Sequence, residues 1–315
     1  MATRPDTPST SSPPAQAGVE RSLVVPDFFR GAEEMRAEFD ERFRDLRSTK
    51  PDRFVWDYWH MPDQYTYVRT YGDRYFRDEL TQGLLGRVSE WGLETLGCGV
   101  IRPPWLSYYV EGCVQELHAD VPHGPWAYVF SLTRWEDRGF SGGETVLLRP
   151  QALDFWREFE AGRDLEADDM VERIPTAFNQ LTVFDARIPH GVRMVRGTHD
   201  PLDSRIVMHG WFEYPELTAS EGLQDKKSMA ALELGLAGAA KRLQRFDSLT
   251  GVATIRLQFD EQGTVDQARV LSNTLVSTAG EPERVREALD LIVETLRDVR
   301  IPGRGGWAIL PFRRE

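Results

Sequence analysis

The chain has 315 residues, 41% of them hydrophobic and 28% charged, and a formal net charge of -12. This is the composition of a folded globular protein long enough for a main domain and a smaller partner; it excludes a fibrous or wholly disordered chain. The acidic balance argues against a nucleic-acid partner, no apolar run reaches the roughly eighteen residues of a membrane span, and two cysteines, Cys98 and Cys113, are too few for a disulfide scaffold.

The first twenty residues are rich in Pro, Ser and Thr and lack the apolar core of a secretory signal. They predict a disordered tail over 1–20 and make a cytoplasmic location the expectation. Met35, Phe39, Phe43 and Leu46, and then Phe76, Leu80, Leu84, Val88 and Trp91, recur at helical spacing and predict two amphipathic helices. Short apolar or alternating runs follow: LSYYV from Leu106, AYVFSLT from Ala127, TVLL from Thr145, LTVF from Leu181 and RIVMHGWF from Arg205. Helices first and many short strands afterwards predict a mainly β fold, a jelly roll braced by helices on one face, over residues 21–217. Residues 218–245, Ala-rich and without Pro from Ser220 on, predict a helical connector. From 246 to 315, Ile255, Leu257 and Phe259 alternate with polar residues before a DEQG turn and VDQARVL, which is a hairpin pattern. Val285, Leu289, Ile292 and Leu296 mark one helix face and WAILPF a last strand, so the chain is expected to end in a small α+β unit.

Chemistry concentrates in two places. In YVEGCVQELHAD, His118 and Asp120 stand two apart, so on a strand or its end they point to one side. His190, in FDARIPHGV, follows a strand-like run about seventy residues later, where a jelly roll returns alongside. Two imidazoles and one carboxylate on one face of an octahedron leave three open positions, the arrangement of non-haem iron(II) oxygenases. Two of these suit a chelating 2-oxo acid and the third suits dioxygen. Such a co-substrate needs a cation at its far end. Arg205 shares one strand face with Val207, His209 and Trp211, and its planar fork matches a carboxylate in a way that Lys does not.

Residues 21–217 resemble the prolyl-hydroxylase-like branch of the iron(II)/2-oxoglutarate dioxygenases. The resemblance is carried, in order, by LVVPDFF, Tyr109-x-x-Gly112 before His118-x-Asp120, FSGGET from Phe140, LTVFD with His190, then Arg205 and Trp211. It implies a double-stranded β-helix fold and a site in which His118, Asp120 and His190 hold Fe(II) while Arg205 anchors 2-oxoglutarate, with Tyr109 and Gln115 beside it. Gln115 stands where relatives often carry a second Tyr. Arg205 lies fifteen positions after His190, farther than is usual, with GTHDPLDS between; this lengthened hairpin leaves Arg193 or Arg196 as alternative anchors. The implied reaction consumes O2 and 2-oxoglutarate, releases succinate and CO2, and hydroxylates an unactivated C–H bond of a peptide or protein side chain or of a small metabolite. A carboxylate at Asp120 implies oxygenation, since halogenating relatives vacate that position. A non-catalytic jelly roll that binds a ligand or partner is the alternative of a different class.

His209 on the Arg205 face is expected either to line the pocket or to pack beside it. His123, Trp126 and Arg187 flank the ligand segments and are candidates for contact with the prime substrate, with plain surface exposure as the competing reading. Gly142 and Gly143 are expected in a turn that requires positive φ. The segment VATIRLQFDEQGTVDQARVLSNTL, the helix after it and IPGRGGWAILPF are similar to the periplasmic C-terminal domain of TonB energy-transducing proteins. This implies a homodimerisation or docking module, with structural support as the equal alternative.

Overall fold

The computed structural model describes residues 21–44, 55–149 and 170–314. The tail expected over 1–20, and Leu46 of the first helical pattern, lie outside the described residues. In chain order the first elements are β1 (Ser22–Val25), α1 (Ala32–Phe43), β2 (Asp57–Met61), β3 (Tyr65–Tyr71) and α2 (Asp78–Thr95). They are followed by β4 (Trp105–Tyr109), β5 (Val114–His118), β6 (Trp126–Ser131), β7 (Thr145–Leu148), β8 (Val171–Ile174), β9 (Leu181–Asp185), β10 (His190–Val192) and β11 (Arg205–Phe212).

Among the described residues these eleven strands form one antiparallel sheet in the order β1-β9-β6-β11-β4-β3-β5-β10-β7-β8, with β2 on β3. The order is that of a jelly roll. Strands β4, β11, β6 and β9 pair on one side and β5, β10, β7 and β8 on the other, and from β4 on successive strands cross from one set to the other except β7 and β8, which pair with each other. Strand alternation then sorts the side chains of β6 and β11. Tyr128 and Phe130 of β6, with Ile206, Met208 and Phe212 of β11, turn outward and join Met35, Phe39, Leu84 and Val88 of α1 and α2 in the main core of this part of the chain. Phe39 and Met35 are fully enclosed, and each such side chain contributes about 1.5–3 kcal/mol. The opposite faces of β6 and β11 look into the roll, where the sheet leaves a pocket.

The remainder of the chain adds β12 (Thr218–Ala219), α3 (Lys226–Arg242), β13 (Leu249–Phe259), β14 (Val265–Asn273), β15 (Val276–Ser277), α4 (Pro282–Leu296) and β16 (Gly306–Arg314). β12, β16, β13 and β14 make a second antiparallel sheet, with β15 on β13. The expected hairpin is β13–β14, and its strands pair from Ala253↔Asn273 to Phe259↔Val265. The stretch expected to be a connector is helical but does more than connect. Leu232 and Ala239 of α3 are fully buried with Ile255, Ile292 and Leu310, and β12 pairs with β16. The second core therefore draws on residues from about 217 onward. At the junction with the roll, the carbonyl of Leu96, just past α2, accepts from the hydroxyls of Thr254 and Ser272, both at 2.7 Å. No described helix is long and apolar enough to cross a membrane.

Candidate metal centre

β5 and β10 pair so that His118 and His190 are direct cross-strand partners. Directly opposed residues put their side chains on the same face, and the two imidazole centroids are 4.5 Å apart. Asp120 lies just past the end of β5, where its N–H donates to the Ala186 carbonyl. Its Oδ1 is 3.7 Å from His118 Nε2 and its Oδ2 is 3.2 Å from His190 Nε2. One ligand atom from each of the three residues lies within 4.8 Å of the others.

The hydrogen bonds around this cluster favour a cation within it. Nδ1 of His118 lies 2.8 Å from the Glu116 carbonyl and Nδ1 of His190 lies 2.8 Å from that of Ile188. A carbonyl only accepts, so each Nδ1 carries a proton and donates it. In the neutral ring that leaves Nε2 as a lone pair. Two lone pairs and a carboxylate then converge with no donor among them, an arrangement completed by protons on the rings or by a metal ion. Burial pushes His118 below the ordinary imidazole value, aided by its neighbour His190, although the Glu116 carbonyl and Asp120 act the other way. Burial also pushes the Asp120 carboxyl up, but the interactions with His190, His118 and the Trp211 indole outweigh it and hold the group below its ordinary value. A partly enclosed His-His-Asp set with both Nε2 atoms turned toward the carboxylate suits a divalent transition metal of the imidazole-binding kind.

The opposite end of the pocket is cationic. Arg205, 1% exposed, opens β11 directly opposite Tyr109 of β4. Its Nε and Nη2 reach the hydroxyls of Thr176 and Thr145 at 3.3 and 3.2 Å, and its guanidinium lies 4.6 Å from the centre of the Tyr109 ring. Nη1 is buried without a hydrogen-bond partner. A buried donor left unpaired costs about 1–3 kcal/mol, so an anionic group arriving there offsets a standing penalty. Burial lowers the Arg205 pKa and Tyr109 opposes the shift, while burial raises that of Tyr109, which donates to Gln115 Oε1 at 3.0 Å. Gly142 and Gly143 sit at φ +78° and +81°, as the turn reading requires. A Cβ on Gly143 would fall 3.4 Å from Cδ of Arg205.

Between the two ends, His209 faces the pocket with Nε2 2.8 Å from the Ser107 hydroxyl. Burial, with the charge of Arg205 behind it, pushes its pKa down to about 3, so it is a neutral wall group. Trp211 donates from Nε1 to Asp120 Oδ2 at 3.0 Å, and His123 stacks on it at 4.3 Å. Both line the pocket.

Two residues expected near the substrate lie elsewhere. Trp126 is 1% exposed in the outer core with Tyr128 and Phe130, because strand alternation gives the pocket Ala127 and Val129 instead. Arg187 is held by Asp185, with contacts of 3.0 and 2.7 Å, and by the carbonyl of Thr274 across the junction. The alternative anchors Arg193 and Arg196 are exposed, and Arg193 pairs with Glu144 at 3.1 Å. Sequence reasoning missed Tyr65, Tyr67 and Arg69 of β3, Trp105 of β4 and Thr145, which line the pocket, and Ser107 of β4, which bonds His209. The aromatic and β-branched composition of YTYVRTY was the one signal that pointed to β3.

No family model matches the chain, and no curated protein does. Among solved structures it is similar to a prolyl hydroxylase from Trichoplax adhaerens in complex with a hypoxia inducible factor oxygen degradation domain peptide fragment. That match has 14% identity and a TM-score of 0.42, over 66% of this chain and 86% of that one. It is also similar to a prolyl-4-hydroxylase from Pseudomonas putida, at 16% identity and a TM-score of 0.42 over 62% of this chain and 92% of that one. A third is the non-heme alpha ketoglutarate dependent carbocyclase SnoK from nogalamycin biosynthesis, at 12% identity and a TM-score of 0.44 over 67% of this chain and 87% of that one. At such identities a shared fold does not carry a shared chemistry, which has to come from the atoms of the site.

Proposed function

We propose that this chain is an iron(II)- and 2-oxoglutarate-dependent oxygenase that hydroxylates a C–H bond, with residues 21–217 as the catalytic unit. One observation carries the reading: a clustered His118–Asp120–His190 set at one end of a pocket lies across from Arg205, whose buried Nη1 has no partner, at the other. The residues fit both groups. His118 Nε2, His190 Nε2 and an Asp120 oxygen would hold the metal. Arg205, with Thr145 and the Tyr109–Gln115 pair beside it, would take the 5-carboxylate of 2-oxoglutarate. Bound there, iron(II) and 2-oxoglutarate would supply the activation of O2 that couples release of succinate and CO2 to oxidation of the prime substrate.

The chain's own residues bind, orient and exclude water. The Trp211 N–H fixes the Asp120 carboxylate while the Glu116 and Ile188 carbonyls fix the two ring tautomers. Neutral His209 and the stacked rings of Tyr67 and Tyr109 wall the space between metal set and anchor. Residues 246–315, joined by the helical segment 218–245, are read as a docking or dimerisation module. The segment from 246 has no His or Cys to offer a metal.

The test is turnover. The protein incubated in air with iron(II), 2-oxoglutarate and candidate substrates, both small molecules and peptides, is expected to form succinate in step with a product one oxygen atom heavier. Iron-independent or absent succinate formation favours the non-catalytic binding reading.

A further inference from the structure

β3 lies between β2 and β4 and turns Tyr65, Tyr67 and Arg69 toward the pocket. The guanidinium carbon of Arg69 is 3.8 Å from the ring centre of Trp59 and 4.0 Å from that of Trp105. Trp59 is on β2 and Trp105 on β4, so the two indoles come from opposite sides of Arg69 and cover the faces of its guanidinium. A stacked guanidinium keeps its hydrogen-bonding capacity in the plane of the fork. The neighbouring Tyr67 hydroxyl takes up part of that capacity, and the rest is unspent. Arg69 forms no ion pair with any described residue, although Asp57 stands opposite it in the β2–β3 register. Its Nε is buried without a partner. Its charge is felt inside the pocket, where it helps to keep His209 neutral. In a chain of net charge -12, an oriented cation with an unpaired donor lining the same pocket as the metal-ligand cluster is a ready anion receptor.

We propose that Arg69 recognises a carboxylate on the prime substrate, held edge-on between Trp59 and Trp105; this deepens the oxygenase reading and rests on it. Two carboxylates would then enter the pocket on two different arginines, 2-oxoglutarate on Arg205 and the substrate on Arg69. The spacing also constrains the substrate. Tyr65 packs against His118 with ring centroids 4.9 Å apart, and Arg69 is four residues further along the same strand, about 13 Å at the usual strand rise. A substrate that reaches along this stretch of β3 carries its carboxylate several bonds from the carbon at the metal. A free acid with an extended apolar body and an acidic peptide both offer this chemistry.

The experiment uses matched pairs on the full chain, followed by calorimetry with and without iron(II) and 2-oxoglutarate under nitrogen. One series is phenylalkanoic acids of increasing length against their carboxamides. The other is a short peptide carrying Glu against the same peptide carrying Gln. In at least one series the acid should bind roughly 10-fold or more tightly than its neutral twin, as for a hydrogen bond to a charged group. The series that shows the preference identifies the source. Arg69→Gln should abolish the preference and leave 2-oxoglutarate affinity unchanged, while Arg69→Lys, which keeps the charge but not the fork, should restore part of it. Acid and neutral twin binding alike to the unmodified chain in both series, or a preference that survives Arg69→Gln, would overturn the proposal. Loss of iron-dependent 2-oxoglutarate binding would instead sink the oxygenase reading, and the acid preference on the iron-free chain is read separately from it.

Discussion

The indole N–H of Trp211 donates to the same Asp120 oxygen that faces His190, 3.0 Å from the indole and 3.2 Å from the imidazole. This bond aims the one anionic ligand of the set, and groups that orient a metal ligand typically contribute 10–100-fold to metal affinity. Trp211→Phe keeps an aromatic ring against His123 and removes the donor. It should weaken iron(II) binding by roughly 10-fold or more with little change in folding, as read by metal titration beside thermal unfolding. Unchanged affinity would mean that Asp120 is held by other contacts.

Arg205 is the second fixed point. Breaking a buried charge pair costs about 2–5 kcal/mol, so Arg205→Ala should raise the 2-oxoglutarate requirement by roughly 30-fold or more, at about 1.4 kcal/mol per tenfold. Arg193→Ala and Arg196→Ala, on the exposed side of the hairpin, should leave it within about twofold of the parent. The reverse pattern in a binding titration would move the anchor to the hairpin.

How far these residues could be read from the chain follows from where their partners come from. The proximity of His118 and Asp120 was legible because they are two apart, and the shared face of Arg205, His209 and Trp211 because RIVMHGWF reads as a strand. Trp126 was misplaced although the same alternation assigns it: with Trp126 outward, Ala127 must be inward. Arg69 was not legible. Both faces of β3 are covered, so YTYVRTY shows no apolar and polar sides, and the meaning of Arg69 depends on Trp59 and Trp105, which reach it from neighbouring strands. The role of α3 was hidden for a related reason. Leu232 and Ala239 are too sparse to advertise a core face, yet both are fully buried against the second sheet and α4.

His209 gives the fold a dependence on pH. Its native pKa is pushed down to about 3 from 6.5, so below pH 6.5 the unfolded chain binds a proton that the native chain refuses. Stability is full above that value and falls as pH drops toward 3. Because one edge of the ring opens to the pocket, the loss by pH 5 should be on the order of 1 kcal/mol. Denaturant unfolding at pH 7 and pH 5 should show it, and His209→Gln, which retains a partner for Ser107, should flatten the difference. An unaltered slope in that variant would remove His209 as the cause.

The junction between the two sheets makes a separate prediction. Thr254→Val with Ser272→Ala strips both hydroxyl donors from the buried Leu96 carbonyl, and an unsatisfied buried acceptor costs about 1–3 kcal/mol. The double variant should unfold earlier while binding iron(II) and 2-oxoglutarate as the parent does. Impaired 2-oxoglutarate binding would show that the C-terminal unit helps to shape the pocket.

The central claim is that one pocket holds a metal at His118, Asp120 and His190 and a dicarboxylate between that metal and Arg205. Titrating 2-oxoglutarate onto the full chain under nitrogen, with and without iron(II), tests it most directly, with His190→Ala run alongside. The unmodified chain should bind 2-oxoglutarate much more tightly with iron(II) than without, and His190→Ala should lose that difference while keeping its fold. Equal binding with and without iron(II), or an iron effect that survives in His190→Ala, would contradict it.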